Sequence, residues 1–195
     1  MGRWEPDALG RLERAAMELF AERGFDRTTV AEIAERAGLT ERTFFRHYAD
    51  KRDVLFGGAG SLQTFLVDQV DEAPPSLSPY AVVVRALVEV ATVVFEERRA
   101  FARQRQAIIA ASVELQEREE VKLATLAGAL ADALRRRGVE DLAAGLVANA
   151  GIVILKVAFE GWTDDPNGPA LAEWIRASAG ELAAATSGVD GLPTS

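Results

Sequence analysis

The sequence predicts an all-α protein, and three observations carry that reading. Ala, Leu, Glu and Arg dominate, and these residues lose little on entering a helix. Apolar residues recur at spacings of three and four rather than in strict alternation. The seven prolines sit almost entirely at segment edges. The expected architecture is a three-helix N-terminal domain over 1–55, fused to a helical domain over 56–195, with about nine helices in all.

Leu9, Leu12, Ala16, Leu19 and Phe20 mark one face of the first helix, and Gly24 ends it. A second short helix is expected from Thr29 to Ala37, stopped by Gly38, and a third from Thr40 to Tyr48. Longer helices follow over 51–71, 79–97, 99–111, 113–136, 140–162 and 169–186. Their clearest breaks are Pro74-Pro75-Ser76, Arg137-Gly138 and Asp165-Pro166-Asn167-Gly168-Pro169.

Composition excludes several chemistries. There is no cysteine, so disulfides, thiolate metal sites and cysteine nucleophiles are ruled out. His47 is the one histidine, which leaves no multi-histidine metal site. No paired catalytic carboxylate site or glycine-rich phosphate loop is evident, so neither an enzyme nor a cofactor is expected. The first residues carry no apolar signal core; with the missing cysteines, this points to a cytoplasmic protein. Net charge is −8, which taken whole argues against a nucleic-acid partner. Residues 1–56, however, hold 10 Lys+Arg against 11 Asp+Glu, so most of the acidity lies beyond them. Within 42–52, Arg42, Arg46, Lys51 and Arg52 face Asp50 alone, a local +3.

That positive stretch lies in a recognisable motif. Thr29 with Glu32 three residues on forms a capping box, which starts a helix. Gly38 can take the left-handed conformation that turns the chain sharply, and Thr40 can cap the next helix. Phe44 and Tyr48, four apart, are expected to face the core. Arg42, Thr43, Arg46 and His47 share another face. Two short helices joined by a glycine-containing turn are a helix-turn-helix, whose second helix enters the DNA major groove. Arg42 or Arg46 can pair with a guanine edge, and Thr43 can meet a base or a thymine methyl. Lys51 is expected to neutralise a phosphate, and Thr28 and Thr29 to present hydroxyls and N–H groups to another.

At these residues the chain resembles the TetR family of bacterial transcriptional regulators. The matching stretches are Ala15 to Phe25, Thr28 to Thr40 and Thr43 to Leu55. The resemblance implies an Ω-shaped homodimeric repressor with a variable ligand-binding domain. It implies a DNA-contacting set of Thr28, Thr29, Thr40, Glu41, Arg42, Thr43, Phe45, Arg46, His47 and Lys51. Phe45 stands where the family often has tyrosine, so its contact would be apolar. In some relatives a basic N-terminal arm enters the minor groove, and Arg3 and Trp4 stand at that place; a disordered terminus is the alternative.

In the second part, Leu142 to Phe159 holds one charge, Lys156, and one other strongly polar side chain, Asn149. The length approaches a membrane span, but Ala and Gly are abundant and the flanks are acidic, so no membrane is expected. A helix apolar all round is buried all round. The expected arrangement is a two-fold four-helix interface of 140–162 and 169–186, using Leu142, Leu146, Val153, Leu171, Trp174, Ile175 and Leu182. Arg85, Glu89 and Glu96 form a charged row expected to face solvent. Arg98, Arg99, Arg103 and Arg105 either bind an anionic effector or form a solvated face paired with Glu96 and Glu97. Phe65, Phe95, Phe101, Ile108, Leu126, Asn149, Phe159 and Trp162 are candidates for a ligand pocket or plain core.

The sequence thus predicts a repressor released from a (pseudo)palindromic double-stranded DNA operator by a small molecule. The rival classes are a ligand-free DNA- or protein-binding module and a helical enzyme.

Overall fold

The computed structural model describes residues 7–187. Among them every regular element is helical, as the periodicity predicts. The chain forms two units. The first runs to Gly60 and adds Arg103–Glu120; the second holds Ser61–Ala102 and the chain from Val121 onward. The segment 103–120, expected within the second domain, therefore clusters with the N-terminal helices.

The first unit contains α1 (Ala8–Arg23), α2 (Val30–Arg36), α3 (Glu41–His47) and α4 (Asp53–Phe56). Leu12, Ala16, Leu19 and Phe20 of α1 meet Ile33 and Ala34 of α2 and Phe44 of α3 in its core. Polar staples hold the short helices, which would be marginal alone. Arg36 of α2 bridges Glu22 at 2.9 Å and Glu18 at 3.3 Å on α1. Arg23 reaches Glu32 at 2.6 Å. Hydrogen bonding from Arg36 holds the Glu22 carboxyl below its ordinary range.

One helix expected over 51–71 is two: α4 stops at Phe56, and α5 (Ala59–Asp71) begins after Gly57-Gly58. The one expected over 79–97 also changes character. α6 (Pro79–Val90) runs into a π-helical turn, Ala91–Phe95. α7 (Arg99–Ala110), α8 (Val113–Arg136), α9 (Asp141–Asp164) and α10 (Leu171–Thr186) follow the expected spans to within two residues.

The second unit is built on apolar packing. Leu66, Val83, Leu87, Leu130, Leu134, Ile154 and Ile175 are fully or almost fully buried. α9 approaches α6 closely at Gly151, where an added Cβ would overlap the Val83 side chain. The Tyr80 hydroxyl donates to Ala179 O at 2.6 Å, tying α6 to α10.

Candidate nucleic-acid interface

The turn between α2 and α3 is fixed from both ends. Thr29 Oγ1 accepts from Glu32 N at 3.3 Å, and Glu32 Oε2 accepts from Thr29 N at 2.8 Å, the expected capping box. These bonds from Thr29 hold the Glu32 carboxyl low. At the other end of α2, Gly38 has φ +66°. Gly38 N donates to Glu35 O at 2.9 Å and Leu39 N to Ala34 O at 2.8 Å, a paired closure that satisfies the last carbonyls of the helix. Arg11 of α1 donates to Ala37 O and, at 3.4 Å, to Gly38 O. Sequence reasoning missed Arg11, because its partners are backbone atoms 26 and 27 residues away.

Thr40 then caps α3, its Oγ1 accepting from Thr43 N at 3.2 Å. Phe44 is fully buried and packs edge-on to Phe45, with ring centroids 5.5 Å apart. Tyr48 is half-buried against Phe44, and burial pushes its hydroxyl up to about 12. The opposite face is bare: Glu41, Arg42, Phe45, Arg46 and His47 are exposed, Phe45 at 55%. Arg46 Nη2 lies 3.4 Å from His47 Nε2. Thr43 is half-buried, its hydroxyl 3.1 Å from that of Thr40.

Two expected contact residues are placed differently. Thr28 is 1% exposed and donates to Gly24 O at 2.9 Å and Leu19 O at 3.4 Å. Its hydroxyl is spent inside the α1–α2 turn, and a phosphate cannot reach it. The Lys51 ammonium donates to Phe25 O at 2.7 Å, Thr28 O at 2.9 Å and Asp26 O at 3.4 Å, and sits 4.3 Å from the Phe25 ring. Here it closes the same turn rather than facing outward. Thr29 stays exposed at the N-terminus of α2.

The +3 stretch also contracts. Arg52 pairs with Asp50 and, at 2.8 Å, with Glu114. Burial raises the Asp50 carboxyl, but hydrogen bonds from Arg52 and Asp53 outweigh it and hold the group low. With Lys51 and Arg52 committed, the cations left on the outer face of α3 are Arg42 and Arg46. Arg3 and Trp4 lie outside the described residues.

In the second unit, Phe95, Phe159 and Trp162 form an aromatic cluster with centroids 5.5 to 6.3 Å apart. Phe65 packs on the core and Leu126 lies within it. Ile108 falls in the first unit and Phe101 in the second. Asn149 departs from the expected pocket: it is exposed and donates to Gly145 O on its own helix. The four arginines of 98–105 are divided between the two units, Arg98 and Arg99 in the second and Arg103 and Arg105 in the first. Arg99 donates to Asp165, Pro166, Gly168 and Pro169 carbonyls and stacks 5.2 Å from Trp162. Arg105 pairs with Glu119 at 2.7 Å. Arg98 stacks on Phe101, and Arg103 is exposed.

On α9, Leu142, Leu146, Val153 and Val157 are exposed at 53 to 76%, so the helix is buried on one side only. On α10, Leu171 and Ile175 are interior to their own unit, which removes them from a surface. Trp174 and Leu182 are half-buried and pack against the same core.

Comparison with known proteins agrees with this geometry. Residues 13–56 match the family model described as bacterial regulatory proteins, tetR family. Residues 77–187 match the model of the MftR C-terminal domain. A helix-turn-helix transcriptional regulator of Mycobacterium tuberculosis is 35% identical over 85 residues, 44% of this chain and 43% of its own length. TcmR of Streptomyces glaucescens is 35% identical over 69 residues, 35% of this chain and 30% of its own. The chain thus aligns with less than half the length of these relatives. Among solved structures, SmeT bound to triclosan superposes with a TM-score of 0.65 at 20% identity, covering 96% of both chains. SmeT alone, the repressor of the Stenotrophomonas maltophilia multidrug efflux pump SmeDEF, gives 0.60 at 19% over 91% of this chain and 89% of its own. A regulator from Syntrophomonas wolfei gives 0.65 at 14% over 96% and 98%. At these identities the likeness is one of fold. With a capped helix-turn-helix matched by one family model and most of the second unit by another, the chain belongs to the tetR family of bacterial regulatory proteins, DNA-binding regulators of transcription.

Proposed function

We propose that this regulator is a cytoplasmic homodimeric repressor that leaves a (pseudo)palindromic operator when a small molecule binds. The observation that carries the DNA half of this reading is the bare outer face of α3. Arg42, Phe45, Arg46 and His47 are exposed on a helix whose entry turn is stapled by Thr29, Gly38 and Arg11. Two arginines suit guanine edges, and Phe45 suits a thymine methyl or a sugar. Thr29, Thr40, Glu41 and Thr43 lie beside them, at or near helix N-termini that suit phosphates. Thr28 and Lys51 act on the shape of the turn instead.

The α9 stripe supports the dimer. Four large apolar side chains exposed on one helix face are costly in water and call for a partner surface. A second copy related by a two-fold axis supplies the same stripe. The acidic residues Glu140, Asp141 and Glu160 near its ends oppose an anionic lipid surface. Two α3 helices in one dimer would read half-sites one helical turn of DNA apart, or a multiple of it. An effector held in the second unit, near Phe95, Phe159 and Trp162, would shift the population of dimers by its differential affinity for the two spacings.

The experiment is selection of bound DNA from a random library, followed by Arg46→Ala on the enriched sequence. The reading expects enrichment of an inverted repeat and weakened, less selective binding by the variant. A pool with no enriched sequence would refute it.

A further inference from the structure

We propose that Arg85 anchors an organic anion, so that the small molecule taken by the second unit is an apolar compound bearing one carboxylate. This rests on the reading that this unit holds the effector, and it names the effector's chemistry.

α6 carries two charges in twelve residues, Arg85 and Glu89. Its periodicity predicts that both face water. The structure places them otherwise: both residues are only partly exposed, and Arg85 Nη1 is buried with no hydrogen-bond partner among the described residues, Glu89 included. A guanidinium cannot shed its proton to escape this position. One enclosed N–H group of a partly exposed guanidinium is thus left without an acceptor, and a carboxylate within its fork would supply one.

Elsewhere many of the arginines have acceptors. Arg36, Arg52, Arg105, Arg118, Arg135 and Arg136 each meet a carboxylate. Arg99 and Arg137 each donate to several backbone carbonyls. Arg85 stands apart from both groups. The other buried side-chain atom without a partner among the described residues, Trp174 Nε1 on α10, is also a donor. The unit therefore has buried donors to spare, which calls for a ligand that accepts. Ala81, Val82 and Val88, on the same flank of α6 as Arg85, give its surroundings an apolar character that suits a hydrocarbon or aromatic body. A single guanidinium matches a single carboxylate, two oxygens to two N–H groups.

The test is thermal melting of the full-length protein with octanoate, benzoate or indole-3-acetate, each against its carboxamide at equal concentration. At least one carboxylate should raise Tm in a saturable way while its amide does not. Arg85→Met should lose that rise and should melt no lower than the parent without ligand, because it removes an enclosed N–H group that has no acceptor. Arg85→Lys should keep part of the rise. An equal effect of amide and carboxylate, no effect of any carboxylate, or a rise retained in Arg85→Met would each overturn the proposal. The wild-type comparison stands even if a variant fails to fold. DNA binding is followed separately, by anisotropy on a fragment selected from random sequence. A carboxylate effect without any selected DNA would sink the repressor reading and leave the Arg85 site; selected DNA without a carboxylate effect would do the reverse.

Discussion

Two surfaces of this molecule are left bare by its own fold, and they differ in kind. The outer face of α3 is cationic and aromatic, with Arg42, Arg46, His47 and Phe45. The outer face of α9 is aliphatic, with Leu142, Leu146, Val153 and Val157. Around α3 the chain has paired off its neighbouring charges, Arg52 with Asp50 and Glu114, Arg36 with Glu22. The charge that survives is therefore local. Around α9 one charged side chain, the partly exposed Lys156, lies between Leu142 and Val157. Each surface names its partner by what it lacks: counter-charge for one, an apolar cover for the other.

The largest effect should come from the second surface. Leu146→Asp with Val153→Asp should turn the dimer into a monomer at micromolar concentration, read by sedimentation equilibrium. Losing the linked second half-site should then weaken operator binding by roughly 100-fold or more. A variant that stays dimeric would move the interface away from α9. Next is the first surface: Arg46→Ala should cost roughly 10- to 100-fold in operator affinity, with relaxed selectivity at one base position, seen by anisotropy on single-base variants.

Smaller effects test the scaffold under α3. Gly38→Ala should destabilise the protein by about 1–2 kcal/mol, because φ there is +66° and a Cβ would meet Arg11 Nη2 at 2.7 Å. Thr29→Ala should cost about 1 kcal/mol through the lost cap. Denaturant unfolding reads both. Lys51→Ala should also lower the unfolding midpoint, and it should leave the salt slope of DNA binding unchanged; a slope reduced by about one would restore it as a phosphate contact. The smallest effect concerns acid. Glu22, Glu32 and Asp50 are held below their ordinary values in the folded state. Their stabilisation is present at neutral pH and is lost as pH falls below the ordinary carboxylate range and through the lowered folded values. Glu22→Gln should therefore flatten the acid limb of the stability curve.

The two surfaces were not equally legible in the sequence. The α3 face was readable because its determinants are local. A capping box three residues long, a glycine at the turn and an aromatic pair four apart fix which side of a seven-residue helix points out. What escaped was the fate of polar atoms reaching far along the chain. Thr28 and Lys51 look free in sequence, but carbonyls of the α1–α2 turn take both. Arg11 was invisible for the same reason. For α9, periodicity had little to work with, since the helix reads apolar all round and offers no polar face as a reference. On α10 it identified a true stripe and assigned it to the wrong neighbour: Leu171 and Ile175 are covered by their own chain. Periodicity tells which residues share a face, not whose surface covers it. Arg85 is the converse case, a partly exposed charge at a nominally solvated position whose Nη1 the packing encloses.

The central claim is that two copies of the α3 face, joined through α9, read one DNA site. Hydroxyl-radical footprinting of a fragment selected from random sequence tests it most directly. The account predicts two protected half-sites of inverted sequence, centred about 10 base pairs or a multiple apart, and loss of that footprint in Arg46→Ala. A footprint covering one unrepeated site, or one that Arg46→Ala leaves unchanged, would contradict it.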